Sequence, residues 1–537
     1  MRGDMKKRTL TSRLNQIERR INELNINIYV LVYLFMIFLG IAFLRSLGLT
    51  ESISAVGIDD SEKMILNGVF IVLIGMPLIW VVASPSRATY FLGASPALGM
   101  FPELPHLPFL REVTHLMVFV AVLALWRART NVATTSWRSD KRLLFYSSFL
   151  AVAATSVVIN YALYSSNWQL KFGVSELLMT AAFGILLNLF REQAAAGEMV
   201  FNEMLDGFVH SALIVAGIGL IVIALLFLTP YSAGTTGLGN DTIYGLSYFD
   251  RMQLLFPGPV HAGMYFVSAM GLVIYSVVTK AKVPRILLLA FLQAAPWLIM
   301  ASGGRTARIA LVLMLVVCLV DRRSRTTTLY VLPSSLIALA IGFWFQSLPR
   351  AVMYFLSQSQ DLIPALLGLD CLVLMKPEAL VWMSMQGRFF EDFDRSRLIQ
   401  TALNFFWHSS TLQQMLGNGL RTSGFKESSF PSPHLTFLNV MMELGLVGVS
   451  FYCAFMYRVA ADVYKVKTTT NEVFKLPSII LLACFACLML FSLTYEISSR
   501  GATLVMVSML FVFPLSTERN LLSSARKQTV TTSDAAP

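Results

Sequence analysis

Between Gly387 and Gly448 the sequence gathers arginines, carboxylates, glycine turns and two histidines, His408 and, at the edge of an apolar run, His434. His434 follows Pro431-Ser432-Pro433 and precedes Leu435 to Tyr457, which puts it at the outer mouth of an expected transmembrane helix. A largely neutral imidazole there can accept a proton at physiological pH, although a histidine at an interface also serves as a hydrogen-bonded structural group. Arg395 and Arg397 open the segment DRSRLIQTALNFF, in which Leu398, Ala402, Phe405 and Phe406 recur at helical spacing. A helix is expected to start there with Asp394 as its N-cap. Guanidinium groups in its first turn suit bidentate phosphate binding or, alternatively, a salt-bridge lattice with Glu391, Asp392 and Asp394.

Three other features belong to the same chemistry. Gly417-Asn418-Gly419, with Ser423-Gly424 behind it, reads as a turn that could present backbone N–H groups to an anion, and no Walker-type Lys-Ser/Thr follows it. Arg305 follows Ser302-Gly303-Gly304, where glycines let the backbone approach a ligand. Arg308 stands one turn further on the same helical face, and either arginine could instead be a snorkelling anchor. Glu443 lies nine residues beyond His434, about 13 Å deeper and half a revolution round the helix. A carboxylate at that depth is costly, and interhelical hydrogen bonding is its expected explanation. The other histidines, His106, His115, His210, His261 and His408, are scattered, with no HExxH and no Cys/His cluster, so neither a metal site nor a cofactor is expected.

The elements that must position these groups are membrane-like. Of the 537 residues 56% are hydrophobic and only 14% charged, with mean hydropathy +0.65; a soluble domain carries about 25% charge. Apolar runs of roughly 17–22 residues can cross about 30 Å of hydrocarbon. The fold class read from this is all-α: a polytopic integral membrane protein of about 12–14 transmembrane helices with one large outer loop. Expected spans are 28–48, 64–84, 112–126, 144–164, 174–190, 207–229, 259–279, 284–300, 306–320, 328–346, 434–458, 476–497 and 499–515.

The net charge of +11 sits in short loops between apolar runs and reads as orientation, not as a nucleic-acid surface. With a cytoplasmic N-terminus, the loop of Arg127, Arg129, Arg138, Lys141 and Arg142 falls inside only if Tyr90 to Phe101 also crosses or re-enters. That register puts Arg322/Arg323/Arg325 and Arg458/Lys465/Lys467/Lys475 inside as well, and the Arg305 turn and the long loop outside. The loop's seven basic residues match its seven acidic ones, unlike the basic inner loops, and its aromatic content argues for a folded cap. Within it, Leu362 to Met375 is expected as a short interfacial or re-entrant helix. The chain therefore divides into 1–27, an amphipathic cytoplasmic arm with Leu10, Leu14, Ile17, Ile21 and Leu24 in one stripe; 28–346, a transmembrane bundle; 347–433, the outer loop; 434–515, the C-terminal transmembrane helices; and 516–537, a cytoplasmic tail expected to be disordered. The five cysteines lie mostly in apolar runs and form no disulfide framework.

The succession of an arginine after Ser-Gly-Gly, a long outer loop with an arginine-led helix, Gly-Asn-Gly, and then PHLTFLNVMMELGLVG resembles the bacterial O-antigen ligase and polysaccharide polymerase family. His434, Glu443, Gly445 and Gly448 match that family's histidine followed by Glu-x-Gly-hydrophobic-hydrophobic-Gly; Arg305 matches its mid-chain arginine, and Arg395 and Arg397 compete for its loop arginine. The residue after the histidine is Leu435, where asparagine is common. The resemblance covers roughly residues 285–515. It implies a GT-C-type, metal-independent glycosyltransferase in the bacterial inner membrane, active at the periplasmic face in surface polysaccharide or lipopolysaccharide synthesis. The donor would be a glycan on undecaprenyl diphosphate and the acceptor another glycan or lipid A-core, with a chain-length regulator as a candidate partner. His434 would take the hydroxyl proton while Arg305 and Arg395 or Arg397 stabilise the departing diphosphate. The competing expectation is a transporter or flippase of lipid-linked oligosaccharides, which would place polar groups and broken helices near mid-membrane.

Overall fold

Backbone polar groups in hydrocarbon are satisfied only within helices or a closed barrel, and this chain takes the helical solution. The computed structural model describes residues 25–37, 73, 75–98, 112–129, 140–164, 167–196, 200–228, 254, 256, 259–279, 283–302, 304–342, 391–420, 435–469, 478–493 and 501–533. Among them there is no β-strand. The helices are α1 (Pro85–Ala94), α2 (Val113–Arg127), α3 (Lys141–Tyr164), α4 (Asn167–Ala196), α5 (Val200–Leu228), α6 (Pro259–Val278), α7 (Arg285–Ala301), α8 (Arg305–Val320), α9 (Arg325–Gly342), α10 (Glu391–His408), α11 (Thr411–Leu416), α12 (Thr436–Thr469), α13 (Ser478–Ser492) and α14 (Gly501–Ser533). Helical stretches also cover Asn25–Ile37 and residues 75–82.

Each expected span from 112 to 515 has its helix. Five helical segments among the described residues are long and apolar enough to cross a membrane on their own: Lys141–Ala162, Gly173–Ala196, Val200–Ile221, Val260–Val278 and Thr436–Val466. Other apolar helices, α2, α7, α8 and α13 among them, are shorter. The centre of the bundle is α6 with the first half of α14. The side chains of Ala262 to Tyr275 and Ala502 to Phe513 are buried almost without interruption, and α14 packs against α2, α4, α5, α6, α12 and α13.

Three stretches refine or change what was expected. The stretch near Tyr90, expected to cross or re-enter, is a ten-residue helix that opens on Pro85, continued by a 3-10 turn, Ser95–Ala97. Together they reach about 20 Å, and Ala88 to Leu98 lie buried among α2 and α5. Secondly, α10 begins at Glu391, so Asp394 sits inside its first turn and does not cap it; the acidic run Glu391, Asp392, Asp394 favours a helix N-terminus over all its length. Thirdly, α14 continues to Ser533, through what was expected to be a disordered tail. From Leu515 to Ser533 no glycine or proline stops it. The arm up to Leu24, the stretch Leu362 to Met375 and most of the 347–433 loop lie outside the described residues.

At one end of the bundle an ion cluster ties α3 to α12 and α14. Arg142 is 4% exposed, pairs with Asp140 at 2.8 Å and Asp462 at 3.4 Å, donates to the Phe511 carbonyl at 2.9 Å and stacks on the Phe511 ring. Arg129 pairs with Glu192 at 2.9 Å, tying the chain after α2 to α4. Basic loops that the charge pattern assigns to one side thus meet in space. Asn160, at the other end of α3, is about 27 Å away along the helix, and the candidate site begins there.

Candidate functional site

The helix α12 is broken. Gly445 has φ 68° and ψ −171°, which divides the helix two and a half turns from its start. The last carbonyls before a break lose their intrahelical partners, and in an apolar surrounding each unsatisfied one costs several kcal/mol. Gly417-Asn418-Gly419 supplies the missing donors. The Asn418 N–H donates to the Met442 carbonyl at 3.0 Å and the Gly419 N–H to the Glu443 carbonyl at 2.9 Å. The Asn418 side-chain amide donates to Met442 at 3.0 Å, and Ser156 Oγ of α3 donates to the Glu443 carbonyl at 3.1 Å. Asn160 closes the junction by donating to the Gly417 carbonyl at 3.2 Å.

This corrects the anion-binding expectation for Gly417 and Gly419. The Gly417 N–H ends α11 on the Gln413 carbonyl at 2.7 Å, and the next two serve Met442 and Glu443. The turn holds a broken helix. Its glycines are needed for a different reason: φ is 77° at Gly417 and 96° at Gly419, and Gly417 and Gly445 approach so closely that a Cβ on either would strike the backbone of Glu443 or of Met415. The turn is delivered by α11, whose N-terminus carries a capping box between Ser410 and Gln413.

α10 packs on the same junction. Its Ala402 and Phe406 are buried with Met442 of α12, flanked by Phe405, Leu438 and Met441. On the other side Leu420, Val440 and Leu444 bury against Ala153 and Val157 of α3. The arginine-led helix, the glycine turn and the Glu443–Gly445 segment, separate in sequence, therefore form one unit. Arg395 and Arg397 occupy the first two turns of α10, and Thr436 begins α12 just after His434. His434 itself and the side chains of Arg305, Arg395 and Arg397 lie outside the described residues.

Arg305 heads α8, which packs on α13, and α13 packs on α12. The pairing of α8 with α13 is antiparallel: Met314 and Cys484 meet at Gly271, whereas Cys487 Sγ lies 3.4 Å from the Ala310 carbonyl. The N-terminus of α8 is thus at the end where α13 finishes and α12 begins. Arg308, half-buried, continues the first turn from the Gly304 carbonyl at 3.2 Å. The structure brings α10, the glycine turn and Glu443 into contact, and sets the α8 arginines at the same end with α13 between.

Beneath the junction lies a cavity of about 90 Å³ between α3, α4, α12 and α14. Its walls include Glu443, Glu176, Thr180 and Thr503 among the aromatic rings of Tyr146, Phe149, Phe183, Tyr452 and Phe455. Glu443, expected to hydrogen-bond between helices, thus contributes its carbonyl to the junction and also lines the cavity. Sequence reading passed over Glu176, Ser156, Asn160 and Thr503. Glu176 and Asn160 carried a signal, since polar groups within expected spans need an explanation.

No family model matches the chain, and no curated protein matches it.

Proposed function

We propose that the chain is a membrane glycosyltransferase of the O-antigen ligase and polysaccharide polymerase kind, moving a glycan from an undecaprenyl-diphosphate donor to a glycan or lipid A-core acceptor at the periplasmic face of the inner membrane. One observation carries the reading. The sequence features behind the resemblance, an arginine-led helix, Gly-Asn-Gly and Glu-x-Gly-x-x-Gly, are bound together at one end of a helical bundle through the Gly417–Glu443 junction, and the opposite end holds the basic cluster around Arg142.

In this reading the acceptor hydroxyl attacks the anomeric carbon, the C–O bond to diphosphate breaks, and His434 takes the hydroxyl proton. Arg305 and one loop arginine stabilise the leaving diphosphate. Arg395 and Arg397 both stand near the start of α10, and that loop arginine is one of these two. Gly417 and Gly419 hold the α12 break that follows His434, Arg308 supports Arg305, and Glu443 lines the cavity below.

The test is glycan transfer by purified protein in liposomes, from a lipid-linked oligosaccharide with and without lipid A-core. His434→Ala and Arg305→Ala should each lower transfer by about 100-fold or more. A ladder of longer lipid-linked products marks a polymerase and transfer to lipid A-core a ligase. Full transfer by both variants removes the enzymatic reading from these residues.

The break in α12 beside a cavity lined by Glu443 and Glu176 favours a second reading, a transporter or flippase of lipid-linked oligosaccharides, because broken helices frame binding sites in transporters. Movement of the lipid-linked donor between leaflets without any acceptor, unaffected by His434→Ala, would select it.

A further inference from the structure

At the end of the bundle that holds Arg142, the cations fall into two kinds. Arg142 and Arg129 are consumed by Asp140, Asp462 and Glu192. The cations of α7, α8 and α9 have no such partners: from 283 to 342 the sequence holds Arg285, Arg322, Arg323 and Arg325 at this end and a single acidic residue, Asp321. That carboxylate is engaged, accepting from the Ser324 N–H at 3.1 Å and the Ser324 hydroxyl at 2.9 Å. Arg325 gives its Nε–H to the Leu319 carbonyl at 3.0 Å and keeps the rest of its guanidinium. Arg285 and Arg322 are exposed, and among the described residues neither has a hydrogen bond or ion pair.

These arginines head a seam. α7 and α9 run in the same direction, since α8 returns between them through two short turns, and Gln293 of α7 donates to the Tyr330 carbonyl of α9 at 2.8 Å. Counted back along each helix from that bond, Arg285 stands about 12 Å away and Arg325 about 7 Å, so the two lie within about one turn in height. Above them Ile286 and Leu287 of α7 and Leu329, Leu336 and Ile337 of α9 are 48–75% exposed. Tyr330, half exposed, stands at the boundary between the charge and the apolar face, the place where an aromatic ring with a polar tip is favoured in a bilayer.

We propose that this seam binds an anionic phospholipid, its phosphate held by Arg285, Arg322 and Arg325 and its acyl chains laid along α7 and α9. Guanidinium takes phosphate oxygens in pairs, and basic groups between transmembrane helices are suited to lipid headgroups. The apolar face directly above the charge fits a lipid and not a soluble anion. A second copy is the other occupant such a face could have, but a two-fold pair in one membrane would set the same arginines against each other. The inference rests on the membrane placement of the bundle and holds whichever chemistry the outer loop performs.

The experiment is thermal unfolding of the purified full-length protein in dodecyl maltoside, titrated with dioleoyl phosphatidylglycerol or with dioleoyl phosphatidylcholine. Phosphatidylglycerol should raise Tm saturably and phosphatidylcholine should not. Arg285→Gln/Arg322→Gln, two exposed changes, should leave Tm without lipid unchanged and move the midpoint of the phosphatidylglycerol response about tenfold upward or more. Arg127→Gln/Lys141→Gln, exposed changes at the same end but on α2 and α3, should leave that midpoint in place. Equal responses to the two lipids overturn the proposal, as does an equal loss in both double variants, which would mean a general surface charge. So does the same Tm rise with glycerol phosphate alone, or a lipid-free dimer in native mass spectrometry that Ile286→Ser/Ile337→Ser dissociates. Glycan transfer is not the readout, so failure here leaves the enzymatic reading untouched, and the reverse.

Discussion

Gly417 and Gly445 are the residues on which the site's geometry turns. Both adopt positive φ with ψ near 180°, a region open to glycine almost alone, and each faces backbone that a methyl group would strike. Gly417→Ala and Gly445→Ala should each cost more than about 2 kcal/mol, seen as a lower Tm in detergent. Since both break the same docking, the double variant should lose clearly less than the two losses added; simple additivity would mean that the residues act separately. The Gly-Asn-Gly turn was legible as a turn, but not its use. A free N–H suits an anion and a carbonyl equally well, and only the break in α12, far along the chain, decides between them.

Among elements, the tie between α3, α12 and α14 at the Arg142 end is the clearest constraint. Burial pushes the Asp140 carboxyl up, but the hydrogen bonds and charge of Arg142, helped by the charge of Arg191, outweigh it and hold Asp140 below its ordinary value. A depressed carboxyl stabilises the fold above the unfolded value of about 4 and loses that contribution as pH falls through the folded value. Asp140→Asn should therefore lower Tm most at neutral pH, with the difference from the native protein shrinking toward pH 3. A gap that widens on acidification would contradict the ion-pair account. Arg142→Met should cost more, about 3–5 kcal/mol, because it leaves Asp140 and Asp462 without their buried partner. Helix extents were mostly legible, because an apolar run defines its own span. The α12 break was not, since a glycine inside an apolar run reads the same whether its helix continues or parts.

At the scale of the molecule, the ends of the helices sort into two sets. The glycine junction, the start of α8 and the start of α12 share one end; Arg142, Asp462 and Glu192 share the other. The two sets should face opposite sides of a membrane. With Cys371→Ser and Cys453→Ser as background, Thr411→Cys should react with an impermeant maleimide from one side of the membrane and Lys465→Cys only from the other. Labelling of both from one side would refute the arrangement. By itself the sequence determined the helical class, most of the helix extents and the pairing of basic loops, because hydrophobic length and charge bias are local quantities summed along the chain. Only tertiary structure decided that the glycine turn would fill a broken helix, and that Glu176 and Thr503 would join Glu443 around one cavity. Those facts depend on which unsatisfied backbone groups and which intramembrane polar side chains meet after packing, and spacing in a single chain does not encode that meeting.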